Sequence, residues 1–329
     1  MSELEEIAAF HSLLHAAHGA RRGKRMTAAS ARFFVDIEGE VLALERELRA
    51  GTWQPGPFRS FVVKDAKPRL ISAAPFRDRV VHHALCAAIG PALDDAASDA
   101  SFACRKGRGT AGALKKARAI VRDGAWFLKL DVRRYFETID HGVLLREVGP
   151  HIPDEGVFAL LTRIVVAGAP GSPMGKGLPI GNLTSQHLAN AYLTSFDHRV
   201  VACFPEVGYV RYMDDLLFVG ADRATLKRVE HFAREALEGD LRLAVKDEAT
   251  RRGPVKAGVP FLGLRLWPAW MRLDGARKRR LARRLRAVER DLRLDGDEVR
   301  AGMRAASLVG WAASAAALPL VRGILKRQR

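Results

Sequence analysis

Cysteine is scarce. Cys86, Cys104 and Cys203 lie 18 and 99 positions apart in 329 residues, a spacing that matches neither a zinc site nor a disulfide framework, so they read as reduced core or near-surface thiols. No apolar run reaches the length of a bilayer span, and the opening "MSELEEIAAFHSLLHAAHGARRGKR" is acidic where a secretory signal would be basic. A cytoplasmic protein without a membrane partner is the expectation. The ten histidines are mostly scattered and supply no paired motif for a metal hydrolase. Neither an internal repeat nor a low-complexity linker breaks the chain. Acids are also few relative to bases: 37 Asp and Glu against 54 Lys and Arg leave a net charge of +17, which points to a polyanionic partner.

The length allows about two domains, or one subdivided domain. "FRSFVVKDAKPRLISAAP" places two apolar runs around a polar turn and predicts a hairpin with Lys64, Lys67 and Arg69 near its tip. "AWFLKLDV" predicts a buried strand ending on an acid, and "HGVLLREV" a short helix. From Asn182, Leu188, Tyr192, Phe196 and Val200 recur every four residues and predict one helix, with Asn182 or Thr184 as its cap. "YVRYM" and "LLFVG" predict two strands that turn at Asp214 and Asp215, and "VPFLGLRLWP" a further strand. Beyond residue 275, Leu281, Leu285, Val288 and Leu292 share a helical face, while residues 277–290 carry eight Arg or Lys against one Glu. A second helix follows, with Val299, Met303 and Ala306 on one face.

Two adjacent carboxylates between apolar runs need a physical reason. Like charges about 4 Å apart repel by roughly 4 kcal/mol at an effective dielectric near 20, so an unpaired doublet in a hairpin core would protonate or unfold it. Asp131, at the end of "WFLKLD", is a third acid in a similar setting. Three carboxylates are the hard oxygen ligands that Mg²⁺ takes alongside water and substrate phosphates. Such a site suits phosphoryl transfer with two metal ions. A solvated turn would account for the doublet alone, but not for Asp131, the basic hairpin and the net charge together.

The assembled blocks resemble the reverse transcriptases over roughly residues 55–266. "RYMDDLLFVG" resembles their catalytic hairpin and "LKLDVRRYFETIDH" their first catalytic block. The resemblance implies an α+β right-hand polymerase fold: an N-terminal helical segment over 1–54, fingers and palm over 55–270, and a short basic α-helical thumb over 271–329. It implies two Mg²⁺ ions, with Mn²⁺ as an alternative, held by Asp131, Asp214, Asp215 and the backbone carbonyl of Val132. Phe136 matches the aromatic gate that excludes a ribose 2′-hydroxyl. Arg69 and one of Lys64 or Lys67 would hold the incoming triphosphate through charge-assisted bonds. Arg105, Lys106 and Arg108 in "SFACRKGRGTAGAL" would approach a nucleic-acid backbone. Lys246 would be a general acid near the leaving pyrophosphate. Arg283, Arg284 and Arg286 would lie on the template and primer duplex.

"GLPIGNLTSQHLANAYL" carries the clue to a subgroup. Most reverse transcriptases have Gln-Gly followed, after three residues, by Ser-Pro; here Ile180 precedes Gly181, and Gln186 follows Ser185. This form resembles the reverse transcriptases of diversity-generating retroelements, and implies error-prone copying at template adenines, dNTP substrates, a structured template RNA with its primer, and a small basic oligomeric accessory protein. Physically, Ile180 replaces a hydrogen-bonding amide near the nucleotide, a change worth about 1–3 kcal/mol of discrimination. About 60 residues follow "FLGLRLWP", too short an interval for added DNA-binding and endonuclease domains. The alternatives are a reverse transcriptase of the retron or phage-defence kind, and, in another class, a non-catalytic RNA-binding protein of the same fold.

Overall fold

The computed structural model describes residues 2–64, 68–295 and 297–314. In chain order the helices and strands are α1 (Glu3–Ala8), α2 (Phe10–Arg21), α3 (Ala28–Val35), α4 (Ile37–Arg49), β1 (Arg59–Lys64), β2 (Pro68–Ala73), α5 (Phe76–Ala96), α6 (Gly109–Asp123), β3 (Trp126–Asp131), α7 (Tyr135–Thr138), α8 (His141–Val148), α9 (Glu155–Val166), α10 (Leu183–Ala191) and α11 (Thr194–Cys203). There follow β4 (Gly208–Tyr212), β5 (Asp215–Gly220), α12 (Arg223–Glu235), β6 (Arg251–Pro254), β7 (Val259–Phe261), β8 (Leu264–Leu266), β9 (Met271–Leu273), α13 (Gly275–Asp295) and α14 (Glu298–Ser314). No helix among the described residues is long and apolar enough to cross a membrane. The three cysteines are free, Cys86 buried and Cys203 exposed.

Two compact units share the chain. One comprises Met1–Arg105, Val132–Cys203 and Phe232–Val245. Side chains start its helices: Ser2 and Thr27 form capping boxes on α1 and α3, and the Asp140 and Asp154 carboxylates accept N–H groups of α8 and α9. Each such cap satisfies a donor that the first helical turn leaves open, typically about 1 kcal/mol. The core gathers Leu13, Leu44, Trp53, Leu85, Tyr192 and Phe196. β1 and β2 form the expected antiparallel hairpin, in register from Arg59↔Ala73 to Lys64↔Pro68. Its apolar side chains Phe61, Val62, Val63 and Leu70 stay exposed.

The other unit comprises Lys106–Asp131, Phe204–His231 and Lys246–Arg329. Its centre is an antiparallel sheet in the order β4-β5-β3-β6. Leu128, Leu130, Val210, Leu216, Leu217 and Phe218 are buried there, and Tyr209 stacks on its ladder partner Phe218 at 4.7 Å. α6 lies against β4 so closely that a Cβ on Gly208 would meet Ile120 at 2.6 Å. A smaller sheet, β7-β8-β9, and helices α13 and α14 follow.

Four expectations change on folding. The helix from Asn182 is two helices with a turn at Tyr192–Leu193, although Leu188, Tyr192, Phe196 and Val200 all remain buried. The Tyr192 hydroxyl donates to the Leu241 carbonyl at 2.7 Å, holding that turn against the neighbouring segment. Asn182 occupies the cap position of α10 without capping it: its Oδ1 accepts from the Ala74 N–H at 3.1 Å and its Nδ2 donates to the Ser72 carbonyl at 2.9 Å. "VPFLGLRLWP" is two strands, because Leu262 and Gly263, at φ 46° and 71°, turn the chain back between β7 and β8. α14 does not bury the face of Val299 and Met303, which are 75% and 71% exposed; Ala301 is buried in their place. α13 buries Leu281, Leu285 and Val288 as the periodicity predicts and leaves Leu292 exposed.

Candidate active site

Tyr212 and Asp215 face each other across β4 and β5, leaving Met213 and Asp214 as a two-residue turn. Met213 takes φ 54°, a left-handed conformation that costs a side-chain-bearing residue about 1 kcal/mol or more. Arg211, wholly buried at the end of β4, donates to the Met213 carbonyl at 3.2 Å and supports the turn. The Thr110 hydroxyl, in the first turn of α6, donates to the Tyr212 hydroxyl at 3.1 Å. The hairpin is thus held from behind and from the side, and Asp214 sits at its tip.

The third acid arrives by register. β3 pairs with β5 so that Asp131 stands directly opposite Asp215, a position where Cα atoms are about 4.5–5.5 Å apart. Two residues earlier, on the same face of β3, Lys129 reaches diagonally to Asp215, its Nζ 2.9 Å from Oδ1. That buried oxygen has the ammonium as its ion partner. Burial foremost, then the charges of Asp131 and Asp215, push Asp214 up to about 6. Burial also raises Asp215, opposed by the Lys129 charge and by the Leu262 N–H. Lys246 lies beside the group, its backbone N–H donating to the Asp131 carbonyl at 2.8 Å.

These residues fit a divalent cation by donor chemistry. Asp131, Asp214 and Asp215 are hard oxygen donors in one electrostatic neighbourhood, and the rise at Asp214, caused first by burial and then by the charges of the other two acids, is one that a cation would relieve. Their side chains are not drawn together: among the described residues, no group of three or more His, Cys, Asp or Glu stands in metal-holding geometry. Lys129 carries the counter-charge.

The candidate nucleotide residues belong to the first unit and share one hydrogen-bonded framework. Phe136 lies in α7, its carbonyl accepting from the Leu178 N–H at 2.7 Å. The Ile180 carbonyl accepts from the Ser72 N–H of β2 at 2.9 Å, which ties the 178–182 loop to the hairpin that carries Arg69. Gly181, at φ 117°, comes so close to β2 that a Cβ would sit 2.7 Å from Ile71 Cγ2. Arg69 is exposed near the hairpin tip. Lys64 ends β1, whereas Lys67 lies outside the described residues. Val132 is buried and bridges to Val245.

Arg105 departs from its expected contact with a nucleic-acid backbone. Its guanidinium donates to the carbonyls of Asp94, Ser98 and Ser101 at 2.8, 2.7 and 3.0 Å. It braces its own loop, tying the last turn of α5 at Asp94 to the 98–101 segment that follows it. Lys106 is exposed and Arg108 half-buried; Arg283, Arg284 and Arg286 all lie on the exposed side of α13. Sequence reasoning missed Lys129, Arg211 and Leu262. Only Lys129 left a usable signal, since the two-residue period of β3 puts it on the face of Asp131.

The model of the family described as reverse transcriptase (RNA-dependent DNA polymerase) matches residues 63–266. Protein YkfC of Escherichia coli K12 is 26% identical over 287 residues, covering 74% of either chain. The group II intron-encoded protein LtrA of Lactococcus lactis is 25% identical over 171 residues, 50% of this chain and 28% of LtrA. Among solved structures, apo telomerase from Candida tropicalis, truncated from its C-terminal domain, shares the fold with a TM-score of 0.53 at 11% identity. That likeness covers 70% of this chain and 59% of the telomerase chain. The fold is the mixed helix-and-sheet, right-hand polymerase fold. With a family match across most of the chain, two acids paired on neighbouring strands and a third in the adjoining turn, this protein belongs to the reverse transcriptases, the RNA-directed DNA polymerases.

Proposed function

We propose that this chain copies a template RNA into cDNA as the reverse transcriptase of a diversity-generating retroelement, with dNTPs as substrates and Mg²⁺ as the divalent cation. The observation that carries the polymerase chemistry is the ladder pairing of Asp131 with Asp215 beside the Asp214 turn. When bound, the cations would lower the pKa of the primer hydroxyl and steady the leaving oxygens. The chain's own residues position the reactants. Asp131, Asp214, Asp215 and the Val132 carbonyl hold the cations; Arg69, with Lys64 or Lys67, binds the triphosphate; Phe136 excludes the 2′-hydroxyl; and Lys246 supplies a proton at the leaving pyrophosphate. Lys106, Arg108 and the Arg283, Arg284 and Arg286 face of a thumb over 271–329 contact the template and primer duplex. Residues 1–54 and 55–270 form the N-terminal segment and the fingers and palm.

The finer assignment rests on Ile180-Gly181 and Ser185-Gln186. An apolar branched side chain at position 180 supports weakened geometric selection of the nucleotide and hence mutagenic copying. A small basic accessory protein would deliver the RNA. Similarity to the group II intron-encoded protein LtrA favours a second reading, an intron-type reverse transcriptase, beside the retron-type or phage-defence alternative. A non-catalytic RNA binder is disfavoured, because acids facing a polyanion weaken binding. The test is primer extension on an RNA template with Mg²⁺ and dNTPs, with and without accessory protein, followed by product sequencing. Extension lost in Asp214→Ala, with errors opposite template adenine, supports both levels. Faithful extension leaves only the polymerase; no extension removes it.

A further inference from the structure

Five tryptophans occur in the chain, and three of them line two adjoining cavities in the second unit. One cavity, of about 600 Å³, is walled by Trp126, Trp267 and Trp270 with Lys256. The other, of about 300 Å³, is walled by Trp126 with Arg223, Lys227 and Arg252. Trp126 and Pro254 line both, so the two adjoin across these residues. Both volumes fall in the range of ligand clefts, about 300–1,000 Å³.

The rings are set to receive a flat partner. Trp267 and Trp270 stack at 3.8 Å and 13°. Gly258, at φ 87°, lies against Trp267 so closely that a Cβ would sit 2.6 Å from its ring. Trp270, packed on Trp267, is still 46% exposed. Arg272 stands 5.0 and 5.2 Å from the two ring centres. Near-equal distances to two parallel rings put its guanidinium beside the stack, where it does not cover the outer face of Trp270. Arg223 lies over Trp126 at 4.9 Å. Among the described residues lining either cavity, the one acid is Glu230, and it is ion-paired with Arg252.

A stacked pair that merely closed the β8–β9 turn would need neither a third tryptophan nor a cationic border. Unpaired bases offer both complements, a π-face for the rings and phosphates for the cations. We propose that this groove binds an unpaired segment of RNA, with one base on the outer face of Trp270 and phosphates near Lys256 and Arg223. This rests on the reading of the chain as an enzyme that handles RNA. The groove is distinct from the acids, since Trp126 and Asp131 stand at opposite ends of β3, about 16 Å apart by strand rise.

The experiment titrates the full chain with a single-stranded 20-nucleotide RNA, followed by anisotropy and intrinsic tryptophan quenching, against a blunt RNA–DNA duplex of equal length. Trp270→Ala should weaken single-strand binding about tenfold or more, the order expected for one lost base stack, and reduce quenching. Duplex affinity should change little, and Trp270→Phe should restore most of the loss. Lys256→Glu, at an exposed position, is the second variant and should weaken the single strand as well. Unchanged affinity and quenching in both variants, or equal losses for single strand and duplex, would overturn the proposal. Dependence on Trp270 for single-stranded DNA but not RNA would overturn the assignment to RNA. Primer extension by the unaltered chain tests the polymerase separately: if it fails while Trp270-dependent binding persists, only the polymerase reading falls.

Discussion

Replacing Lys129 by methionine removes one charge while keeping most of the side chain's bulk. In the native protein that charge sits 2.9 Å from Asp215 Oδ1, with the two side chains 15% and 18% exposed. At an effective dielectric near 20 the gross attraction is about 6 kcal/mol. Desolvation offsets most of it, and partial exposure screens the rest, so the net loss on truncation should be about 2 kcal/mol. Its pH dependence follows from the acids. Burial carries Asp214 up to about 6, so it is charged at pH 8, where the Lys129 charge favours it, whereas near pH 5 it is largely protonated. Urea denaturation in a chelator should therefore show the full loss at pH 8 and a smaller one at pH 5. Millimolar Mg²⁺ or Mn²⁺ should stabilise the variant more than the native chain, since a cation bound only to the folded acids replaces the missing charge. An equal loss at both pH values, with and without cation, would refute the idea that Lys129 is the counter-ion of this acidic group.

Three further outcomes follow from the same geometry. Asp214 has a folded pKa above its unfolded value, so its protonated form stabilises the cation-free protein: that contribution is complete below about pH 4 and is lost as pH rises through about 6. Asp214→Asn should flatten this part of a stability-versus-pH curve, and an unaltered curve would show that the shift has another source. Ile180→Gln should change misincorporation frequency by about one or two powers of ten, read by sequencing cDNA, and no change would detach position 180 from nucleotide selection. Replacing Arg283, Arg284 and Arg286 together by Gln should reduce the slope of log affinity for an RNA–DNA duplex against log salt by about 2 to 3, and an unchanged slope would remove α13 from the duplex contact.

Local pattern carried far in this chain. β3 follows from the apolar run of "AWFLKLDV" that ends on an acid, α8 from "HGVLLREV", and the hairpin at Asp214 from two strand-like runs around the acids. The buried positions Leu188, Tyr192, Phe196 and Val200 were legible from their spacing even though the helix divides, because burial depends on the face presented and not on continuity of the helix. The three acids could be singled out from sequence because a carboxylate after an apolar run is costly unless something positive meets it.

What the sequence by itself determined was therefore the type of those segments whose pattern was clear, and the residue types at the candidate site. Tertiary structure decided who faces whom. Register set Asp131 opposite Asp215 and brought Lys129 within 2.9 Å of that carboxylate. The Ser72 and Ala74 backbone groups took the side chain of Asn182 from its helix. α14 buried Ala301 and left Val299 and Met303 exposed, although all are helix formers on an amphipathic pattern. The Asp131–Asp215 register, the Lys129 contact and the Asn182 bonds all depend on groups contributed by residues far away in the chain. A side chain's nearest neighbours in sequence limit its conformation, but the partner that satisfies it is supplied only when distant segments meet.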